Sequence, residues 1–226
     1  MGDIVPHAHA AKLWHGPAVA IRGRRLLLAL LGVLAVAVAA MVIPAFVCRP
    51  ADPVLDDLGT VPAFSLTDDR ATTFTEAGLA GHVSIVDFVF TRCDAICPMS
   101  TMKMERIQDK TFDIGGKVKL VSFSVDPEYD TPARLADYAK KYRADGQRWR
   151  FLTGPLATIQ ALVEGPFMIN MQRDGVTASG APSIAHQGYF LLVDGKLHIR
   201  GTYDSNDTQR LDEMIRDARY LARIGS

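Results

Sequence analysis

The sequence predicts an α/β domain, a mixed central sheet covered by helices, behind one N-terminal transmembrane helix. Three observations carry this. Leu26 to Val47 is an uninterrupted apolar run without a charge. Apolar runs of strand length then alternate with stretches of helical periodicity. Near the C-terminus, two runs of strand length flank an Asp-Gly pair, which is a hairpin signal.

At about 1.5 Å per residue, the run LLLALLGVLAVAVAAMVIPAFV reaches about 33 Å, enough for a bilayer core. A cleaved signal peptide is the competing reading, but its apolar region is usually only about 7 to 15 residues long and the leader here is long. Arg22, Arg24 and Arg25 precede the run and Asp52, Asp56 and Asp57 follow it, so residues 1–25 are expected in the cytoplasm. Residues 26–47 are the expected span, on the inner (cytoplasmic) membrane. Residues 48–60, rich in Pro, Asp and Gly, are expected as a linker, and residues 61–226 as a single domain in the periplasm. His7, His9 and His15 are irregularly spaced in the leader and are read as a plain polar segment. Cys48 lies at the membrane boundary without a lipoprotein-like cleavage site before it, and is read as an unpaired thiol.

Within the domain, His82 to Phe90 and Lys117 to Val125 read as strands, and Pro98 to Lys110 between them as a helix with proline in its first turn. That is a βαβ unit. Thr131 followed by Pro132 caps a second helix through Arg143, with Leu135, Tyr138, Ala139 and Tyr142 on one face. Arg148 to Leu152 is expected as a strand, Leu156 to Val163 as a helix and Phe167 to Gln172 as a strand. Gln187 to Val193 and Lys196 to Tyr203 are the expected hairpin strands around Asp194-Gly195. Asp207 to Ile224 is the closing helix, with Leu211, Met214, Ile215 and Ala218 inward.

The chain of 226 residues carries 25 basic and 25 acidic side chains, so no broad positive surface marks it as a nucleic-acid binder. Its three cysteines are too few for a disulfide scaffold, and two of them lie four positions apart. Cys93 and Cys97, in TRCDAICP, follow a strand and open a helix. Unpaired N–H groups and the helix dipole at that place favour thiolates, which bind soft metals and attack disulfides. Four-residue spacing near a helical turn sets the Cβ atoms roughly 5 to 6 Å apart, so the pair can share a metal or close to a disulfide. The bland alternative is two buried cysteines acting as small apolar residues.

FVFTRCDAICPMS, SFSVDPEYDTPARLADYAKKY and IAHQGYFLLVDGKL resemble the three signature regions of the Sco/SenC family, and the similarity runs from about Val61 to Ile224. The resemblance implies a thioredoxin-like fold and copper held by Cys93, Cys97 and His186. It also implies a role in assembling the binuclear copper centre of cytochrome c oxidase. The implied partners are oxidase subunit II or another copper-site protein, other copper chaperones and thioredoxin-like reductants. Asp94 stands where many members have proline, and Gln187 where many have Ser or Thr.

The chemistry agrees with that implied set. Two thiolates and an imidazole suit Cu(I), and hold Cu(II) with an added oxygen ligand, whereas structural zinc normally takes a fourth protein ligand. Asp126 resembles a family acid near the metal and is expected to orient or tune it, while Asp130 is read as a turn and capping residue. Met99, Met102 and Met104 are read as core filler, and His82 and His198 as surface residues. Arg92 and Asp94 flank Cys93 and push its pKa in opposite directions.

Two functions compete at this point: a metallochaperone that passes copper by ligand exchange, and a thiol-disulfide oxidoreductase in which Cys93 and Cys97 are the redox-active pair. A thiol peroxidase is a third reading, from VPAFSL at the domain start, although Asp87 occupies the position where that pattern has proline. A copper-responsive membrane sensor is a fourth.

Overall fold

The computed structural model describes residues 18–47, 52–92, 96–169, 172–176, 182–185 and 188–225. It divides into two compact units, Met1–Ala51 and Asp52–Ser226. In the first, helix α1 (Ala18–Val47) contains the window Leu26–Ile43, long and apolar enough to cross a membrane, with none of that window buried.

The second unit is built on a seven-stranded mixed sheet. Its strands are β1 (Ser65–Asp68), β2 (Thr73–Thr75), β3 (Val83–Val89), β4 (Val118–Ser124), β5 (Trp149–Thr153), β8 (Tyr189–Val193) and β9 (Ile199–Asp204), in the order β2-β1-β5-β4-β3-β8-β9. Strands β3, β4 and β5 run parallel, and the edges are antiparallel. A separate two-stranded ribbon pairs β6 (Gln172–Val176) with β7 (Pro182–Ala185).

The parallel strands read as near-continuous apolar runs because both faces are covered. On one face Ile85, Val89 and Leu120 meet Met104 and Ile107 of α2 (Ile96–Lys110), Leu135 of α3 (Pro132–Lys141) and Met214 and Ala218 of α5 (Thr208–Ile224). On the other, Val86, Phe88, Val121 and Phe123 meet Ile159, Leu162 and Val163 of α4 (Leu156–Glu164). The caps follow the sequence. Thr131 accepts the Arg134 N–H, Asp207 accepts those of Gln209 and Arg210, and Gly225 ends α5 with φ of 71°.

Two expectations need correction. Phe167 to Ile169 do not form a strand. Phe167 and Ile169 instead donate their N–H groups to Leu162 and Val163, folding the chain back over the end of α4, and both side chains plug the core. The next described strand is Gln172–Val176. The hairpin does not turn on two residues at Asp194-Gly195. Asp194 Oδ1 accepts the N–H groups of Lys196 and His198, which builds a longer connection, and positive φ falls on Leu197 at 68°. Strand β9 therefore starts at Ile199 rather than Lys196.

Candidate metal centre

Cys93, Asp94, His186 and Gln187 lie outside the described residues, and Cys97 is described only as a backbone position in the first turn of α2. The described residues that lead into Cys93 are held by side-chain contacts. The chain leaves β3 at Val89 and runs through Thr91 and Arg92 towards Cys93, and the segment after β4 clamps this exit. Asp130 accepts the Thr91 N–H at 3.2 Å, the Thr91 hydroxyl at 2.5 Å and the Ser124 hydroxyl at 2.6 Å. The Arg92 guanidinium donates to Asp126 at 2.6 Å and lies 4.5 Å from the centre of the Tyr129 ring. Arg134 lies over the same ring at 3.8 Å and donates to the Tyr129 carbonyl at 2.6 Å.

Asp130 was read from sequence as a turn and capping residue. Thr131 is the cap, and the buried Asp130 side chain ties the strand exit to the end of β4. Burial raises its pKa above the ordinary carboxylate value, against the pull of its hydrogen bonds from Ser124 and Thr91. Spacing gave no sign of this role, because it depends on Thr91 lying across the β3–β4 pair. Asp130→Ala leaves the Thr91 N–H and two hydroxyls without their acceptor, at a cost of about 3 kcal/mol. Urea unfolding followed by tryptophan fluorescence checks it. An unchanged midpoint would show that the clamp does not hold the loop.

Asp126 is buried at the same edge, with Oδ2 given to Arg92. Among the described residues its Oδ1 has no hydrogen-bond partner. A buried acceptor without a partner costs stability, so this oxygen is available to a group arriving at the strand ends. Arg92 is committed to Asp126 and Tyr129, and the carboxylate raises the guanidinium pKa further.

The methionine reading divides. Met104 is fully buried, whereas Met99 and Met102 are 56% and 49% exposed on the opposite face of α2, so only the first is core filler. His82 is partly exposed, with its ring Nδ1 3.1 Å from the Ala80 carbonyl. His198 is partly exposed and lies 3.1 Å from Asp57, whose pKa it lowers chiefly by that hydrogen bond.

Gly188, two residues after His186, gives its carbonyl to the Ser205 N–H at 2.7 Å, and a methyl group on it would be at ordinary contact distance, 3.9 Å, from Ser100 Oγ of α2. Ser100 is one helical turn beyond Cys97 and so on the same side of α2.

The SCO1/SenC family model matches residues 55–223. The chain is 31% identical over 175 residues to the SCO1 protein homolog of Bacillus subtilis, covering 73% of this chain and 83% of that protein. Among solved structures it is similar to BsSco, a Sco-family cytochrome c oxidase assembly protein in which a disulfide switch was identified. That likeness has a TM-score of 0.66 and 28% identity, over 76% of this chain and 98% of that one. It is also similar to copper-bound ScoI of Arabidopsis thaliana, with a TM-score of 0.62 and 25% identity over 71% and 99% of the two chains. The fold shared with these neighbours is thioredoxin-like. A family match over most of the domain, a relative of this identity and the same mixed sheet agree: the chain belongs to the SCO1/SenC family.

Proposed function

We propose that this protein is a membrane-anchored metallochaperone that binds copper through Cys93, Cys97 and His186 and delivers it to the binuclear copper centre of cytochrome c oxidase. The observation that carries the reading is the family match over residues 55–223, a span that includes Cys93, Cys97 and His186. Copper bound to Arabidopsis ScoI and the oxidase-assembly family of BsSco support it. The donor set fits: two thiolates and one imidazole match the softness of Cu(I), and one added oxygen ligand accommodates Cu(II).

In this reading the dithiol must be reduced, and metal binding releases the thiol protons. Asp126, with Oδ1 unpartnered among the described residues and Oδ2 fixed by Arg92, acts from outside the ligand set to orient the site. Copper leaves by stepwise exchange of thiolates with a partner's copper site, oxidase subunit II or another copper-site protein. Other copper chaperones and thioredoxin-like reductants supply copper and electrons. Residues 26–47 anchor the protein in the inner (cytoplasmic) membrane, with residues 1–25 in the cytoplasm. Residues 48–60 are the linker, and residues 61–226 form the copper-binding domain in the periplasm. The arginines before the span and the aspartates after it support that orientation.

The disulfide switch of BsSco favours a second reading, a thiol-disulfide oxidoreductase. Cys93 and Cys97 would give two electrons and two protons to a disulfide on the target, becoming a disulfide themselves. His186→Ala separates the two. The chaperone reading expects loss of copper delivery with dithiol reactivity unchanged. Full rescue of oxidase assembly by that variant would favour the reductase.

A further inference from the structure

Where the parallel strands begin, at the end of the sheet opposite the one that leads to Cys93, there is a cavity of about 260 Å³. Lys119 and Arg150 reach it from neighbouring strands. Arg150 is the register partner of Val121, and Lys119 stands two residues before Val121. Alternate residues of a strand share a face, so both side chains leave the sheet on the same side. Phe74 of β2 and Ala77 just after it form an apolar wall, and a methyl group on Gly78 would lie 2.6 Å from the Phe74 ring, which therefore rests on bare backbone. His82 and Arg148, immediately before β3 and β5, complete the basic lining.

Among the described residues, no carboxylate lines this cavity. Its cations meet neutral groups instead: Lys119 donates to the Gln147 carbonyl at 3.0 Å, and Arg148 to the carbonyls of Gln108 and Thr111, each at 3.2 Å. Arg148 is 7% exposed, its Nε has no partner among the described residues, and burial lowers its pKa against the pull of Asp145, Asp109 and Asp113. Arg150 Nη1 is likewise buried and unpartnered among the described residues, and the carboxylate facing that guanidinium, Asp68, stays 3.9 Å from Nε. A solvated surface cation costs nothing, but buried donors without acceptors and a buried charge without a close counter-charge do. An anion between Arg150 and Lys119 offsets both costs.

We propose that this cavity binds a small phosphate monoester, its phosphate held between Arg150 and Lys119 and its organic group against Phe74. A guanidinium offers forked N–H donors that match phosphate oxygens, and an ammonium adds a point charge, so the pair suits a dianion. Arg148 contributes its charge without needing contact, and the apolar wall takes the carbon that inorganic phosphate lacks.

Isothermal titration calorimetry of the full-length protein in non-ionic detergent, at constant ionic strength, tests this with glycerol 3-phosphate and inorganic phosphate as probes. Saturable binding at one site is expected, tighter for the ester than for inorganic phosphate. Arg150→Gln and Lys119→Gln should each weaken ester binding at least about tenfold, the scale of one lost hydrogen bond to a charged group. Lys119 is partly exposed, so its variant decides the matter even where Arg150→Gln does not fold. No saturable binding of the ester, or wild-type affinity in Lys119→Gln, overturns the proposal. Inorganic phosphate binding as tightly as the ester overturns the place given to the organic group. Displacement of the ester by a lower concentration of phosphatidylglycerol in the same micelles overturns the soluble ligand and assigns a lipid headgroup.

Discussion

Replacing Cys93 or Cys97 by serine is expected to lower Cu(I) affinity by on the order of a thousandfold. In small metal sites the whole binding free energy is about 10 to 16 kcal/mol, so losing one of three ligands removes about 4 kcal/mol. The serine hydroxyl does not replace it, because at neutral pH it stays protonated and is a hard donor. Chelator competition on the reduced protein measures the effect. His186→Ala should cost less than either cysteine, since imidazole is the less soft donor to Cu(I). Equal and small losses in all three variants would mean that copper sits elsewhere.

The second large effect concerns Asp87, in the middle of β3 and remote from any solvent. Its Oδ1 accepts the Ser122 hydroxyl at 2.5 Å, and Ser122 in turn accepts the Trp149 indole N–H at 2.9 Å. Its Oδ2 has no partner among the described residues. Burial raises the pKa to about 7, with the Ser122 hydrogen bond pulling the other way. The folded pKa lies above the ordinary aspartate value of 3.8, so the folded state holds the proton that the unfolded chain releases. Stability from this group is complete below about pH 4 and is lost as pH rises towards about 7. Asp87→Asn has no proton to lose. It should gain up to roughly 4 kcal/mol over the wild type at pH 8, with the gain vanishing near pH 4. Urea unfolding midpoints across that range measure it. Parallel pH profiles for the two proteins would show that Asp87 is not the buried acid responsible.

The parallel strands, α3 and α5 were legible because apolar period and caps agree. Thr131-Pro132 and Asp207 mark helix starts by chemistry that needs no tertiary partner. The run from Phe167 to Ile169 was misread because core plugging and strand formation select the same apolar residues, and only the hydrogen bonds back to Leu162 and Val163 tell them apart. The turn at Asp194 failed for a related reason: the aspartate side chain outcompeted the glycine in shaping the backbone.

At the site, the Cys-x-x-x-Cys pattern is local and was visible. Its support was not. Asp130 and Tyr129 act on Thr91 and Arg92 across the β3–β4 pair, a separation of about forty positions that no spacing rule spans. Gly188 and Ser205 meet only because β8 and β9 pair, and a glycine in a strand approach carries no sequence mark of what it makes room for. Met99 and Met102 share the helical spacing of Met104 yet face solvent, since Ser100, Thr101, Met104 and Ile107 already fill the inward face of α2.

X-ray absorption at the copper edge of the reduced, copper-loaded full-length protein tests the central claim most directly. Two sulfur neighbours and one imidazole, with the imidazole signal lost in His186→Ala, is the predicted result. A first shell of sulfur alone, or an imidazole signal that survives His186→Ala, would contradict it.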